Sequence, residues 1–439
     1  MNVRRLLALG AAVGLLVAWM GPAQAQQAQP AVVSEIPADF TPNLAADAVV
    51  GQPAVYALAQ VGSTMYAGGH FDAIQNSSLT TTFIRPNLVS FGASTGVVST
   101  TFAPAFDNDV WALQGSADSS ALYVGGDFTT VNRTFRRGLA KINPATGALI
   151  TAFQPTAISS GYVREIRLVG NHLIVAGSFP KKLVSLNPIT GADDGYINLA
   201  ISGTVASNAG PTHIYRFAVS PDGTKLVAVG NFTTVNGPGG TAVNNRLRAF
   251  RVDLGLTAAT LSTWYYQPLT RMCQAASLPA YLRDVDFSPD GSYFVIVSTG
   301  YVSLSGDLGS TVCDAAARFE TANLAPLRPT WMNYTGGDTL HSVAVTGVAV
   351  YTNGHNRWLD NTYGRDTCGD FLHPNACSPR PGIGAIDPVT GKALSWNPGK
   401  TRGVGGKDLL ATSAGLWVAS DGQKFNGRYH YGIAFVPLP

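Results

Sequence analysis

Seven side chains suited to ligand binding recur along this 439-residue chain at intervals of roughly 50 to 70 residues. They are Tyr56, Trp111, Arg164, Tyr215, Arg283, His341 and Lys407. The set contains three aromatic residues, three cations and one histidine, and it contains no acid. Aromatic faces pack on sugar rings, and guanidinium groups donate paired hydrogen bonds to anions. If the fold brings these positions together, the sequence predicts a site for a sugar or an anionic ligand.

Other interpretations of these seven residues remain open. They could pack only between structural units or line a water-filled channel. The residues that follow them include acids, so the cations could also pair with neighbouring carboxylates. Those following residues are Ala57, Ala112, Glu165, Arg216, Asp284, Ser342 and Asp408. A catalytic site would use His341, Glu165 or Asp284, but the sequence offers neither a strand-to-helix nucleophile elbow nor an isolated carboxylate pair.

The elements that must position these residues form a repeat. Each copy has a small pair, often Gly-Gly, followed by a polar residue, as at residues 68–70 and 125–127. A period near ~50 residues with irregular insertions is typical of propeller blades. Each copy contains four short β-rich runs separated by turn residues, and no long helical periodicity occurs. We therefore predict an all-β, seven-bladed β-propeller of four-stranded antiparallel blades.

The polar residue after the small pair recurs too regularly to be catalytic in every copy. Its seven representatives are His70, Asp127, Ser178, Asn231, Gly300, His355 and Asp421. We expect it to hold a turn or the adjacent blade through a hydrogen bond. Arginines before the third strand are expected to pair with it, namely Arg85, Arg137, Arg246 and Arg380. The fifth copy departs most from the pattern, at residues 298–301, so a distorted second strand is expected there.

Closure of the ring is predicted from an aromatic-x-Pro strand. This strand ends three copies, at residues 102–104, 153–155 and 396–398. The last copy stops within its third strand, and a matching segment, residues 40–42, precedes the first copy. An N-terminal strand that completes the last blade would remove an exposed sheet edge.

The lengths of the connections between strands predict which face of the propeller binds a ligand. Long insertions fall before a first strand or between second and third strands, at residues 236–245, 271–280 and 357–380. Both kinds of connection open on one face of a propeller, and binding residues usually lie on such loops. The opposite face carries short turns, so we expect it to be structural.

The chain start predicts export. Residues 1–5 are basic, residues 6–20 are apolar and residues 23–25 form a small-x-small cleavage site. We expect a signal peptide at 1–25, a flexible leader at 26–35 and one propeller domain at 36–439. Fifteen apolar residues are fewer than the ~20 that a membrane span needs, although an uncleaved anchor remains the alternative.

Composition restricts the partners. A formal charge of +3 without a basic cluster argues against nucleic acid. We expect a monomer that binds an extracellular glycan or protein, with no cofactor and no metal.

Four cysteines remain after the expected cleavage. An exported chain meets oxidising conditions, so an even count predicts disulfides. We favour Cys368–Cys377, which closes a local loop, and therefore Cys273–Cys313; two other connectivities are possible. A zinc site is disfavoured because the chain lacks paired Cys-x-x-Cys motifs.

The C-terminal third resembles a known family. The residues that carry the resemblance are 380–388, 394–399, 401–405, 415–421 and 433–435. They are similar to the delta-sixty-repeat β-propellers of unknown function found in secreted actinobacterial proteins. The resemblance implies a propeller fold and an extracellular setting, and it extends more weakly over nearly all of the chain. It implies no activity, so no catalytic residue is carried over.

Overall fold

The computed structural model describes residues 27–45, 51–205, 210–238, 242–244, 246–270, 273, 282–300, 309–362, 367–369, 372–373 and 376–439. These residues form β-strands and connecting turns, with one short 3₁₀ turn at Gln267–Thr270. The expected signal peptide lies outside the described residues, as do parts of the three long insertions. No described helix is long and apolar enough to cross a membrane.

The strands follow one another in short runs. The first fourteen are β1 (Asn43–Leu44), β2 (Ala54–Val61), β3 (Thr64–His70), β4 (Ala73–Gln75), β5 (Thr82–Ile84), β6 (Leu88–Gly92), β7 (Val110–Gly115), β8 (Leu122–Gly126), β9 (Thr130–Val131), β10 (Thr134–Phe135), β11 (Leu139–Ile142), β12 (Val163–Val169), β13 (His172–Gly177) and β14 (Leu183–Leu186). The next eleven are β15 (Ala200–Ser202), β16 (His213–Val219), β17 (Lys225–Asn231), β18 (Thr234–Asn236), β19 (Ala242–Asn244), β20 (Ala249–Leu254), β21 (Ala259–Leu261), β22 (Leu282–Phe287), β23 (Tyr293–Ser298), β24 (Ala315–Glu320) and β25 (Trp331–Tyr334). The last ten are β26 (Leu340–Val345), β27 (Val350–Gly354), β28 (Trp358–Leu359), β29 (Ser378–Pro379), β30 (Ile383–Ile386), β31 (Gly406–Thr412), β32 (Gly415–Ser420), β33 (Lys424–Phe425), β34 (Arg428–Tyr429) and β35 (Ile433–Pro437).

Seven main antiparallel sheets follow one another along the described chain. Numbered 1 to 7, they are β2-β3-β6, β7-β8-β11, β12-β13-β14, β16-β17-β20-β21, β22-β23-β24-β25, β26-β27-β30 and β31-β32-β35. The first strands of consecutive sheets contact each other from β2 to β31, and β31 also contacts β2. The first strands therefore line a central space, and the apolar cores lie between neighbouring sheets. The fold is all-β and β-propeller-like.

The outermost strand differs from the prediction in most sheets. Only sheets 4 and 5 have a fourth strand among the described residues. In sheets 1, 2, 3 and 6 the outer segment makes a single bridge, such as Ile142 with Leu149. The aromatic residue of the aromatic-x-Pro motif then turns inward: Phe153 is fully buried and packs edge-on against Tyr123 with ring centroids 5.7 Å apart. The proline lacks an N–H, so it cannot extend the ladder.

The short turns connect neighbouring sheets. The Tyr66 hydroxyl of sheet 1 donates to the Pro144 carbonyl in the turn of sheet 2 at 2.6 Å. The Tyr123 hydroxyl of sheet 2 repeats this bond to the Pro188 carbonyl of sheet 3 at 2.7 Å. In the same turn of sheet 3, Gly191 has a φ of 80° and packs on the backbone of residues 154–155. These turns therefore hold the sheets in order.

The N-terminal segment lies along the last strand of sheet 7. The Ser34 and Ala38 amides donate to the carbonyls of Pro437 and Phe435 at 2.9 and 2.8 Å. The Phe40 ring lies 5.7 Å from the Phe435 ring. Residues 40–42 are not a regular strand, however, and only Asn43–Leu44 form one, which pairs with β4 of the first repeat. Prolines 37 and 42 lack the N–H groups that a continuous ladder would require.

Each of the seven first strands contains one β-bulge near its start. The residues that the pairing skips are Tyr56, Trp111, Arg164, Tyr215, Arg283, His341 and Lys407. These are the seven residues that the sequence selected. A bulge sets two residues against one and re-aims their side chains. A bulge residue and its successor can therefore both face the central space, contrary to ordinary strand alternation.

A glycine lies opposite the bulge in five sheets: Gly69, Gly126, Gly177, Gly230 and Gly354. A Cβ at any of them would lie within 2.0 to 2.3 Å of a carbonyl oxygen in the first strand or just before it. Sheet 5 has Ser298 at this position, and the predicted distortion there is wrong, because β23 is regular and buried throughout. The small residues of the pair therefore allow the backbones of the first and second strands to approach each other closely at the bulge.

The predicted disulfides are confirmed. Cys273 pairs with Cys313, linking the connection before β22 to the connection between β23 and β24. Cys368 pairs with Cys377 in the connection between β28 and β29.

The glycine opposite the third bulge provides a test of this packing. Gly177→Ala should lower the free energy of unfolding by about 2 kcal/mol or more, because its Cβ would lie 2.0 Å from the Tyr162 carbonyl oxygen. Gly237→Ala is the matched control, since a Cβ there would meet nothing within 4 Å. Denaturant unfolding measures both. Equal stability of the two variants would contradict the close approach.

Candidate functional site

The seven bulge residues converge on one cavity. Tyr56, Trp111, Arg164, Tyr215, Arg283, His341 and Lys407 line a space of about 210 Å³ together with Asp109 and Arg216. The cavity lies where the first strands begin, on the face with the long insertions. We call it the mouth cavity. The structure therefore brings all seven side chains around one space, and their role in binding a ligand stays a prediction.

Arg164 is held by aromatic rings. Its guanidinium carbon lies 3.7 Å from the Trp111 ring centroid and 5.2 Å from those of Tyr162 and Tyr215. Its Nε is buried and makes no hydrogen bond. No salt bridge joins Arg164 to a carboxylate among the described residues. The surrounding rings thus hold the guanidinium in place, and cation–π attraction stabilises it.

The other two cations also lie over aromatic faces. The Arg283 guanidinium carbon lies 5.0 Å from the Tyr215 ring centroid, and its Nη1 donates to the Tyr215 hydroxyl at 2.6 Å. The Lys407 ammonium lies 5.9 Å from the Tyr56 ring centroid. Three positive charges therefore surround the same small space.

Ionisation in the mouth cavity reflects this positive potential. Burial would raise the pKa of Tyr215, but Arg283, Arg164 and Lys407 outweigh burial and lower it. Burial, with repulsion from Arg283 and Lys407, holds the pKa of His341 well below its usual range. Burial lowers the pKa of Lys407 as well; Asp421 and Tyr215 oppose this effect, and Arg283 and Arg164 add to it. His341 is therefore neutral at pH 7, and the cavity favours negative charge.

Arg216 forms the floor of the mouth cavity. It donates to the Glu165 carboxylate at 2.7 Å and to the carbonyl oxygens of Arg164 and Tyr56 at 3.4 Å. Its own strand, β16, is separated from β2 by β7 and β12 in the order of first strands, so the guanidinium crosses the central space. A second cavity of about 360 Å³ lies beyond it and also includes Arg216 in its wall. We call this the lower cavity.

The acids that follow the bulge residues line the lower cavity. Asp284 accepts the Val343 amide at 3.0 Å, and Asp408 accepts the Leu58 amide at 2.8 Å. Each carboxylate thus bridges to the first strand of the next sheet. Burial raises the pKa of Asp284 to about 7 and that of Asp408 to about 6, against the attraction of Arg216. These acids connect neighbouring sheets. The alternative interpretation, in which a cation pairs with a neighbouring carboxylate, holds for Arg216, which pairs with Glu165.

Glu165 is engaged by two arginines. Arg167 and Arg216 both donate to its carboxylate. A carboxylate held by two guanidinium groups has its lone pairs occupied, which does not suit a general acid or base. The described residues include no cluster of three or more His, Cys, Asp or Glu side chains that could hold a metal ion.

The sequence prediction missed three residues around the mouth cavity: Asp109, Tyr162 and His213. Each lies two positions before a bulge residue, so the repeat period could have identified them. Asp109 accepts the Trp111 indole N–H at 3.3 Å and the His70 Nδ1–H at 2.5 Å. Asp109 therefore orients Trp111.

Several of the recurring polar residues make hydrogen bonds of the kind that was expected. The His355 Nδ1–H donates to the Gly403 carbonyl at 2.6 Å, and Asp421 accepts the Val404 amide at 2.7 Å. In the fifth repeat the equivalent residue is Thr299 rather than Gly300, and its hydroxyl lies 2.6 Å from that of Thr339. These bonds hold the connections that lead into first strands.

The predicted partners of Arg85, Arg246 and Arg380 are wrong, because all three donate to backbone carbonyls. Arg137 lies near Asp127, as expected, and opposes the effect of burial, which raises the pKa of Asp127. Arg85 and Arg246 donate to the backbone carbonyls of Ser99 and Thr263 at 3.0 and 3.3 Å. In the second repeat Arg136 makes this kind of contact, to Thr151, rather than Arg137. Most outer segments make few backbone hydrogen bonds to the third strand, so their carbonyl groups are available to accept hydrogen bonds from arginine side chains.

The lower cavity predicts a pH dependence. The pKa of Asp284 is raised to about 7 from 3.8, so its carboxyl stabilises the fold at low pH and this contribution is lost as pH rises toward 7. Asp284→Asn cannot ionise, so the stability of the parent relative to this variant should fall between pH 5 and pH 8, by up to ~1.4 kcal/mol per pH unit. Denaturant unfolding at both pH values measures the difference.

Asp118→Asn is the control for this experiment. Hydrogen bonds from Ser116 and Ser120 lower the pKa of Asp118 to about 2, so it is ionised throughout this range in the folded and unfolded states. Its effect should not change between pH 5 and pH 8. A constant difference for Asp284→Asn as well would contradict the raised pKa.

Comparison with known proteins identifies a fold type and no family. No protein-family model matches the chain, and no curated protein matches it. Among solved structures it is similar to the WD40 repeats of RRP9, with a TM-score of 0.51 and 11% identity over 91% of this chain and 100% of that chain.

Two further structures align less well. Hydrazine synthase of Kuenenia stuttgartiensis has a TM-score of 0.47 and 12% identity over 92% of this chain and 97% of that chain. The extracellular domain of a one-component system from B. thetaiotaomicron has a TM-score of 0.48 and 14% identity over 92% of this chain. The present chain spans 40% of that last structure. The similarity to the RRP9 repeats shows the fold alone, an all-β arrangement of the β-propeller type.

Proposed function

We propose that this protein is a secreted, non-catalytic recognition propeller that binds an extracellular glycan or cell-wall ligand at the mouth cavity. The observation that carries the proposal is the convergence of the seven bulge residues. They combine half-buried aromatic rings with cationic donors, which is the combination that recognises sugar rings and their substituents. Ligand sites in rigid scaffolds are concave and contain a few converging polar groups, as the mouth cavity does.

The same proposal includes seven blades closed by the N-terminal segment. The seven main sheets and the contact of β31 with β2 support this count. Support for closure comes from equivalent packing: Gly147 of sheet 2 packs on Pro104, and Gly96 of sheet 1 packs on the Phe40 backbone in the same way. These contacts support an equivalent position for residues 40–42 beside sheet 7 and residues 102–104 beside sheet 1.

Export is supported by the N-terminal sequence pattern and by the two disulfides, because disulfides form and persist in oxidising compartments.

A secreted lyase or hydrolase is the second candidate. The raised pKa values of Asp284 and Asp408 favour it, because a carboxyl that is partly protonated near pH 7 can act as a general acid. Both acids lie beyond the Arg216 floor and are bonded to backbone amides, which favours a structural role. A Gly-x-Ser-x-Gly spacing occurs at residues 92–96, but it forms the turn after β6 and no helix follows it.

Closure is tested by truncation. Deleting residues 26–45 should lower the unfolding temperature strongly, because it removes buried side chains and several backbone bonds worth several kcal/mol in total. Phe40→Ala should destabilise less, and Ile36→Ala should have no effect, since Ile36 is 53% exposed. A truncated protein that unfolds at the parent temperature would refute the closure.

Binding is tested first by screening. The mature protein should be applied to a glycan array and to whole bacterial cell wall. For a ligand found in this way, Trp111→Ala should weaken binding by ~1–3 kcal/mol in calorimetry with little loss of fold, as expected for a truncated aromatic anchor.

Ile189→Ala is the matched control for this substitution. Ile189 is 70% exposed in the turn after β14, at the ends of the strands that lie away from the mouth cavity. Affinity should not change. If Ile189→Ala loses affinity and Trp111→Ala does not, the binding face is wrongly assigned.

A further inference from the structure

The charges of the mouth cavity are poorly balanced. Arg164 and Lys407 form no salt bridge with any described carboxylate, and Arg283 faces the Tyr215 hydroxyl. The acid in the wall is Asp109, and its two oxygens accept from the His70 ring and the Trp111 indole. Arg216 in the floor is balanced by Glu165. The cavity therefore presents Arg164 and Lys407 without a salt bridge to any described carboxylate, and the more distant Asp421 only partly opposes the effect of burial on the pKa of Lys407.

The donors are also held in place. Trp111, Tyr162 and Tyr215 surround the Arg164 guanidinium, and Arg283 is bonded to Tyr215. Fixed donors lose little conformational entropy when an acceptor arrives, so they bind an anion more tightly than flexible surface cations do.

The floor limits what can enter. Arg216 bonds across the central space to the Tyr56 carbonyl and separates the mouth cavity from the lower cavity. The remaining volume of about 210 Å³ is below the ~300–1,000 Å³ of typical small-molecule sites. A chain cannot pass through a space that is closed below. Only its end can enter.

We propose that the mouth cavity is a blind pocket for one anionic group, a carboxylate or a phosphate or sulfate ester, carried at the end of an extracellular chain. The proposal rests on the proposed function and names the ligand chemistry and the direction of entry. The guanidinium groups of Arg164 and Arg283 and the Lys407 ammonium would contact the anion, and the surrounding rings would pack on the residue that carries it.

Calorimetry with matched sugars tests the anion requirement. The probes are glucose, glucuronate, glucose 6-phosphate and glucose 6-sulfate, and comparison of the three anions identifies the preferred group. At least one anion should bind at least ~10-fold more tightly than glucose, as a charge-assisted bond of about 1.4 kcal/mol predicts. Binding should weaken as salt rises.

The charge variants locate the anion. Lys407→Met and Arg164→Gln should each weaken anion binding by ~10-fold or more. Lys392→Met removes the same charge from an exposed position in the turn after β30, away from the mouth cavity, and should leave affinity unchanged. Thermal unfolding of each variant identifies any that fails to fold, and Lys407→Arg then provides a milder replacement that should retain binding.

Two trisaccharides test end-on entry, one with its single anionic sugar at the non-reducing end and one with that sugar in the middle. The first should bind at least ~10-fold more tightly. Equal affinity would overturn end-on entry, and equal binding of glucose and all three anions would overturn the anion requirement.

The outcomes separate this inference from the proposed function. An array ligand that depends on Trp111 but is neutral would overturn the inference and leave the proposed function intact. Anion binding that depends on Lys407, with no array ligand that depends on Trp111, would support the inference and contradict the proposed function.

Discussion

Each first strand carries one extra residue at a β-bulge, and the close approach of a glycine on the second strand makes room for it in five of the seven main sheets. In a regular strand neighbouring side chains point to opposite faces. The bulge changes this, so that Arg164 and Glu165, or Tyr215 and Arg216, all border the central cavities. The Gly-Gly pairs, the mouth cavity and its floor therefore depend on one repeated backbone irregularity.

The same repetition explains how the sheets are held together. Tyrosine hydroxyls reach the turn carbonyls of the next sheet, and acids on the first strands reach amides of the next first strand. The tyrosine bonds lie at the outer ends of the interfaces between sheets 1 and 2 and sheets 2 and 3, beside apolar clusters. The acid bonds lie at the inner ends of the interfaces between sheets 5 and 6 and sheets 7 and 1. Burial in the lower cavity raises the pKa values of Asp284 and Asp408, so part of this inner connection depends on pH.

Charge is distributed unevenly between the two cavities. Cations and rings form the mouth cavity, whereas acids line the lower cavity, and the Arg216–Glu165 pair lies at their boundary. Burial, together with Asp109 and Asp421, raises the pKa of Tyr56 in the mouth cavity to about 12, whereas around Tyr215 the three cations outweigh burial and lower the pKa. A buried tyrosine would otherwise have a raised pKa.

The repeat, the all-β class and the seven positions around the mouth cavity could be predicted from the sequence, because turn chemistry and periodicity are local properties. The sequence favoured the observed disulfide pairing but left two other connectivities open. Which groups meet depends on the tertiary structure. Arg164 lies among aromatic rings, and Asp109 accepts hydrogen bonds from His70 and Trp111. Arg216 reaches across the central space to the Tyr56 carbonyl. The tertiary structure also replaced most predicted fourth strands by single bridges. These contacts join residues far apart in the chain, and packing rather than local pattern fixes their distances.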